Sequence, residues 1–229
     1  MNTQRTSFSF PIWFIALFSL TIHAQKSFNS LGESALSIGH DVSRTYRFNF
    51  TLRSRYFLYK HNTLNYQQQQ LDIFHLSTFK LIQRLNTALG VYYRNRDWFN
   101  TGSDELRLME ELNYKISWRQ KLFKHRFRAE QRIFNTKTIY RQRYKLGTNV
   151  PLLPLKKLNT STYLSTSLEA LWSLSKQIKG ETDIRITAQI VWPFLKKQKL
   201  KTGIEHRLEA FNLKAKNNLF ILTSASFNI

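Results

Sequence analysis

From Tyr46 onward the chain falls into short stretches in which apolar and polar side chains alternate. The clearest carries Tyr46, Phe48, Phe50, Leu52, Tyr56 and Leu58, interleaved with Arg47, Asn49, Thr51, Arg53 and Arg55. Successive side chains of a strand point to opposite faces, so this stretch has one apolar and one cationic face. A soluble sandwich buries the apolar face, whereas a membrane barrel turns it outward to lipid.

The same reading along the chain predicts about ten strands, in a range of about eight to twelve. They run near 46–59, 71–82, 87–96, 106–118, 126–132, 139–150, 162–172, 184–194, 200–211 and 218–229. The second has mixed parity: Ile73, Phe79 and Leu81 oppose Phe74 and Leu76, and the tract Gln67–Gln70 before it reads as loop. In the fourth, Leu106, Leu108, Leu112, Tyr114, Ile116 and Trp118 share a face that Glu110 interrupts. Asp97 to Glu105, with Asn100, Gly102 and Asp104, reads as a loop. Pro151 and Pro154 end the sixth strand, since proline cannot donate to a ladder. The fold class predicted is all-β, an antiparallel up-and-down transmembrane barrel over residues 46–229.

The N-terminus favours the membrane version. Residues 1–24 have Arg5 as their single charge, an apolar run from Phe8 to Ile22, and Ala24 before a cleavage point at Gln25. The apolar run is shorter than the roughly 20 residues of a spanning helix. The expectation is a cleaved signal peptide, a periplasmic segment at 25–45, and a protein of the outer membrane of a Gram-negative bacterium. Export changes how the charge is read. There are 35 Lys and Arg against 14 Asp and Glu, a net charge of +21 that falls by one with Arg5. Such a balance suggests nucleic acid in a cytosolic chain, but an exported one does not meet it. With no cysteine there is neither a disulfide framework nor a thiolate metal site.

Two further patterns point to lipid. Trp98 and Trp172 fall at one rim of an up-and-down barrel and Trp118 and Trp192 at the other, as in an aromatic girdle. The last strand ends at the last residue, with Leu219, Ile221, Ala225, Phe227 and Ile229 in register. Partners expected are outer-membrane lipids, the barrel-assembly machinery and small anions. Lys156, Lys157, Lys196, Lys197 and Lys199 fit lipid phosphates at the rim. The alternative is a secreted soluble barrel with an apolar interior that binds an anionic or lipid ligand.

Residues 126–132, Arg-Phe-Arg-Ala-Glu-Gln-Arg, precede 140–146, Tyr-Arg-Gln-Arg-Tyr-Lys-Leu, and Pro151-Leu152. This pattern resembles the core of the bacterial family known as domain of unknown function 2490 (DUF2490). Val91 to Arg94, Glu105 to Glu111 and Tyr163 to Glu169 extend the resemblance, while Asp183-Ile184-Arg185 stands where the family has an Asn-Arg pair. The resemblance implies an outer-membrane barrel and no activity.

Parity puts a charge network in the lumen: Arg94, Arg107, Glu111, Arg126, Arg128, Glu130, Arg132, Arg141, Arg143, Glu169 and Arg185. Arg47, Arg53, Arg55, Arg96, Lys115, Lys145, Lys201, Arg207, Asp183, Glu205 and Glu209 join it on the same rule. A lumen of about ten strands is close to being filled by side chains. Two expectations follow. Glu111 and Glu130 bridge arginines on neighbouring strands and plug the barrel, or surplus guanidiniums line a narrow pore that favours anions. No cofactor or metal is expected. An enzyme is not expected either, though an outer-membrane hydrolase is a second alternative. Glu205 and His206 point to opposite faces, His75 and Ser77 share one, and no nucleophile motif or HExxH is present.

Overall fold

Eleven strands close into one barrel in the computed structural model, which describes residues 28–60, 62–96, 104–118, 121–152, 162–195 and 197–229. The predicted signal peptide lies outside the described residues. In chain order the strands are β1 (Phe28–Asp41), β2 (Tyr46–Lys60), β3 (Thr63–Ile82), β4 (Leu85–Arg96), β5 (Glu105–Trp118) and β6 (Lys121–Ile133). Then come β7 (Thr138–Pro151), β8 (Tyr163–Leu174), β9 (Glu181–Leu195), β10 (Gln198–Glu209) and β11 (Lys216–Asn228). Each pairs antiparallel with the next, and β1 closes the barrel against β11.

That closure departs from expectation. The reading of ten strands places residues 25–45 ahead of the barrel, yet Phe28–Asp41 is a full strand inside it. Its outward positions Gly32, Ser34, Leu36 and Ile38 and inward positions Glu33, Ala35, Ser37 and Gly39 mix small and polar residues on both faces, so no stripe stands out. With eleven strands running up and down, the first and last point the same way. The seam is therefore parallel, with Phe28 opposite Asn217 and Gly39 opposite Asn228. Bacterial single-chain membrane barrels ordinarily have even counts and no such seam.

The Gln67–Gln70 tract, expected as loop, belongs to β3. Two of its amides find polar partners: Gln68 Nε2 donates to Ser54 Oγ (3.0 Å) and Gln70 Nε2 to Asp72 (3.1 Å). Glu105 likewise opens β5 instead of closing the preceding loop.

Charge and grease are distributed in reverse of a water-soluble core. Asp72 and Glu105 are 0% exposed, and Arg94, Arg107, Glu130, Arg132, Arg141 and Arg207 are all buried. Outside stand Phe50, Leu89, Leu108, Leu168, Ile186 and Ile204, each more than two-fifths exposed. The apolar stripes of β5, β8 and β9 thus face outward and their charged complements inward. Among the described residues the interior holds one small apolar cluster, Leu31, Phe220 and Leu222 with Phe57. Close strand approach demands glycine at 203: a Cβ there would run into the Ala188 carbonyl and come within 2.6 Å of the Gln189 Cα.

Candidate functional site

The lumen is built by alternate residues of neighbouring strands in register, so carboxylates and guanidiniums meet across the ladder. Glu111 lies opposite Arg128, Glu130 opposite Arg141, and Glu169 opposite both Lys145 and Arg185. A charge in so narrow a space needs a partner, because desolvation costs several kcal/mol per ion.

Glu105 is the most enclosed. It accepts from Arg107 Nη2 (2.6 Å), from Arg132 Nε (2.6 Å) and Nη2 (3.1 Å), and from Arg96 Nη2 (3.0 Å). Glu130 accepts from Arg107 (3.2 Å) and Arg143 (2.8 Å), with Arg128 at 3.4 Å. Arg143 continues to Glu169 (2.6 Å), which also holds Arg126 (2.8 Å). Arg128 is ion-paired with Glu111. Arg185 reaches Glu169 at 4.0 Å, and Arg141 donates to Ser173 Oγ (2.7 Å) and faces Asp183 at 3.9 Å. All eleven network residues read from the sequence therefore point inward, and all but Arg141, whose contacts are Ser173 and Asp183, are linked through Glu105, Glu111, Glu130 and Glu169.

Three acids in this network were not legible in the pattern. Glu33 holds Arg55 (2.7 Å), Arg53 (3.4 Å) and Arg207 (3.5 Å), but sits on the strand the sequence does not reveal. Asp72 takes a bidentate pair from Arg94 (2.8 and 3.1 Å) on a strand of mixed parity. Glu105 falls among turn residues; its phase with Arg107 and Glu111 is the signal that places it inside. Aromatic rings support the cations: Arg207 stands 3.6 Å over Phe220 and Arg107 4.4 Å over Tyr92.

Between these side chains lies a cavity of about 440 Å³, walled by Glu33, Arg53, Arg94, Arg143, Arg185 and Arg207 among others. Cation type changes along the barrel axis. Every ion pair among the described residues is made by arginine. Lysines 115, 124 and 145 instead continue the inward stripes toward the end where β5 and β9 terminate, with Lys115 directly opposite Lys124. Lys199, expected at the lipid rim, lines a cavity of about 280 Å³ there beside Lys201.

Of the tryptophans, Trp118 and Trp172 are exposed and Trp192 is half-buried. Since β5 and β9 run one way and β8 the other, Trp118 and Trp192 mark one end and Trp172 the opposite end. Trp98, like Lys156, Lys157 and Lys196, lies outside the described residues.

Residues 20–218 match the family model described as "Protein of unknown function (DUF2490)". The chain belongs to the DUF2490 family. The match runs from before β1 into the first residues of β11, so the whole charge network falls within the family region of this DUF2490 chain. No curated protein matches it.

Proposed function

We propose that this DUF2490 chain is an outer-membrane β-barrel whose lumen is closed by an arginine–carboxylate network. The observation that carries the reading is the reversal of faces. Large apolar side chains ring the outside, while Asp72, Glu105 and Glu130 are among the most buried residues. In water that exterior would be an aggregation hazard, and in a bilayer it is the solvated face. The closed ladder supports the same reading, because a spanning structure must satisfy its backbone groups internally. The soluble alternative requires an apolar interior, which a ring of paired arginines does not supply.

The network fits the structural role better than an open pore. The acids Glu33, Asp72 and Glu105 reduce the surplus of bases on which anion passage depends, and arginines of β4 to β7 are held by carboxylates on their own or neighbouring strands. Arginines still outnumber the lumen acids and share them, as Arg126, Arg143 and Arg185 share Glu169, and the lysines at one end add to the surplus, so residual permeation favours anions. Membrane lipids and the barrel-assembly machinery are the partners this reading implies.

Fractionation tests it. The protein is expected in the outer-membrane fraction, starting near Gln25, and is expected to migrate faster on gels unboiled than boiled. Recovery in the soluble periplasm, with one mobility in both states, would sink the proposal.

A further inference from the structure

The two residues groups that break the outward apolar pattern meet in one place. On β3, His75 and Ser77 stand between Ile73 and Phe79 on the outward face, and on β5 Glu110 interrupts the stripe of Leu108 and Leu112. All three line a groove of about 400 Å³ on the outside of the barrel, whose walls include Phe79, Leu89, Val91 and Leu108. The side chains of His75 and Ser77 are in contact, with Nε2 to Oγ at 2.9 Å. Tyr46, from β2, brings its phenol oxygen to 3.1 Å from the same Oγ. The Phe50 ring packs on the imidazole at 4.5 Å between centroids. His75 Nδ1 is buried without a hydrogen-bond partner.

We propose that Ser77, His75 and Tyr46 form an acyl-ester hydrolase site on the outer wall of the barrel, acting on the acyl esters of membrane lipids. A serine bonded to an imidazole is the pairing that makes a hydroxyl nucleophilic. A hydroxyl has one proton, so when Ser77 donates it to Nε2, Tyr46 O–H donates to Ser77 Oγ. That bond holds Oγ with its proton toward His75, so Tyr46 is a positioning residue: the charge of the tetrahedral intermediate develops on the ester carbonyl oxygen and not on Oγ. In the reaction Ser77 Oγ adds to the ester carbonyl carbon and its proton passes to His75 Nε2. The negative charge comes to rest on the former carbonyl oxygen. Collapse breaks the ester C–O bond, and His75 returns the proton to the departing alcohol. Water then adds to the acyl-serine, losing a proton to His75, and Ser77 is regenerated as the carboxylic acid leaves. The Glu110 carboxylate faces the groove in which positive charge develops on His75, and the apolar walls accept an acyl chain.

The lipid substrate rests on the membrane reading; the nucleophile does not. Two substrates therefore separate them, with the full chain refolded in detergent: a diacylglycerophosphocholine in mixed micelles and water-soluble p-nitrophenyl acetate. Release of fatty acid from the micelles and labelling of Ser77 by a fluorophosphonate are expected. Ser77→Ala should reduce both to background while the heat-dependent gel mobility is unchanged. His75→Asn should do the same to turnover. Tyr46→Phe, which removes the bond that positions Oγ, should lower kcat with little change in KM. Turnover of the acetate alone would overturn the lipid assignment and keep the nucleophile. Neither turnover nor labelling in the folded wild type, or activity that survives Ser77→Ala, would overturn the site.

Discussion

Replacing Glu130 with alanine is expected to cost about 3 kcal/mol of unfolding free energy, the lower end for breaking a buried pair. Glu130 is 3% exposed and holds three guanidiniums, those of Arg107, Arg128 and Arg143. Removing its charge leaves them facing one another across β5, β6 and β7. The loss stays at the lower end because each cation keeps a second carboxylate: Glu105 for Arg107, Glu111 for Arg128 and Glu169 for Arg143. Glu130→Gln retains shape and one acceptor, and should fall between wild type and alanine. Urea midpoints in detergent measure all three. An unchanged midpoint for the alanine variant would mean that water already solvates this position and the lumen is not closed.

The outer face gives a second large effect, and its size depends on the surrounding medium. Ile186 is 46% exposed in the middle of β9, flanked on β8 by Leu168 and on β10 by His206. In water, exchanging an exposed isoleucine for arginine changes stability by about 0.5 kcal/mol or less. At the centre of a bilayer the same change costs about 2–4 kcal/mol. Ile186→Arg is therefore expected to destabilise the barrel by an amount in the second range when measured in vesicles. A near-neutral result there would place this face in water.

Much of the barrel was legible because alternation is strong wherever one face meets apolar surroundings and the other carries arginine. Strands β5, β8 and β9 show it, and each network residue read from their parity lies inside. Three features hid the remainder. In β1, Gly32, Gly39 and several serines erase the contrast between faces, so the strand and Glu33 were missed together. In β3, glutamines run through the strand and His75 and Ser77 occupy outward positions, so its parity looked mixed. The parallel seam has no local signature at all, since it follows from the strand count and not from any residue of β1 or β11. Parity also could not show which charges pair. That depends on register, which brings Asp72 between Arg53 and Arg94 from sites distant in sequence.

The most direct test of the central claim, apolar face to lipid and charged face to lumen, is a collision-accessibility scan along β9. The chain has no cysteine, so single cysteines at 184 through 190 can each carry one nitroxide without a background substitution. In vesicles, labels at 184, 186, 188 and 190 are expected to collide readily with oxygen, which concentrates in the bilayer, and poorly with a water-soluble nickel chelate. Labels at 185, 187 and 189 should show low oxygen collision, giving a period of two along the strand. High nickel-chelate accessibility at 186 and 188, or oxygen maxima at 185 and 187, would contradict the account.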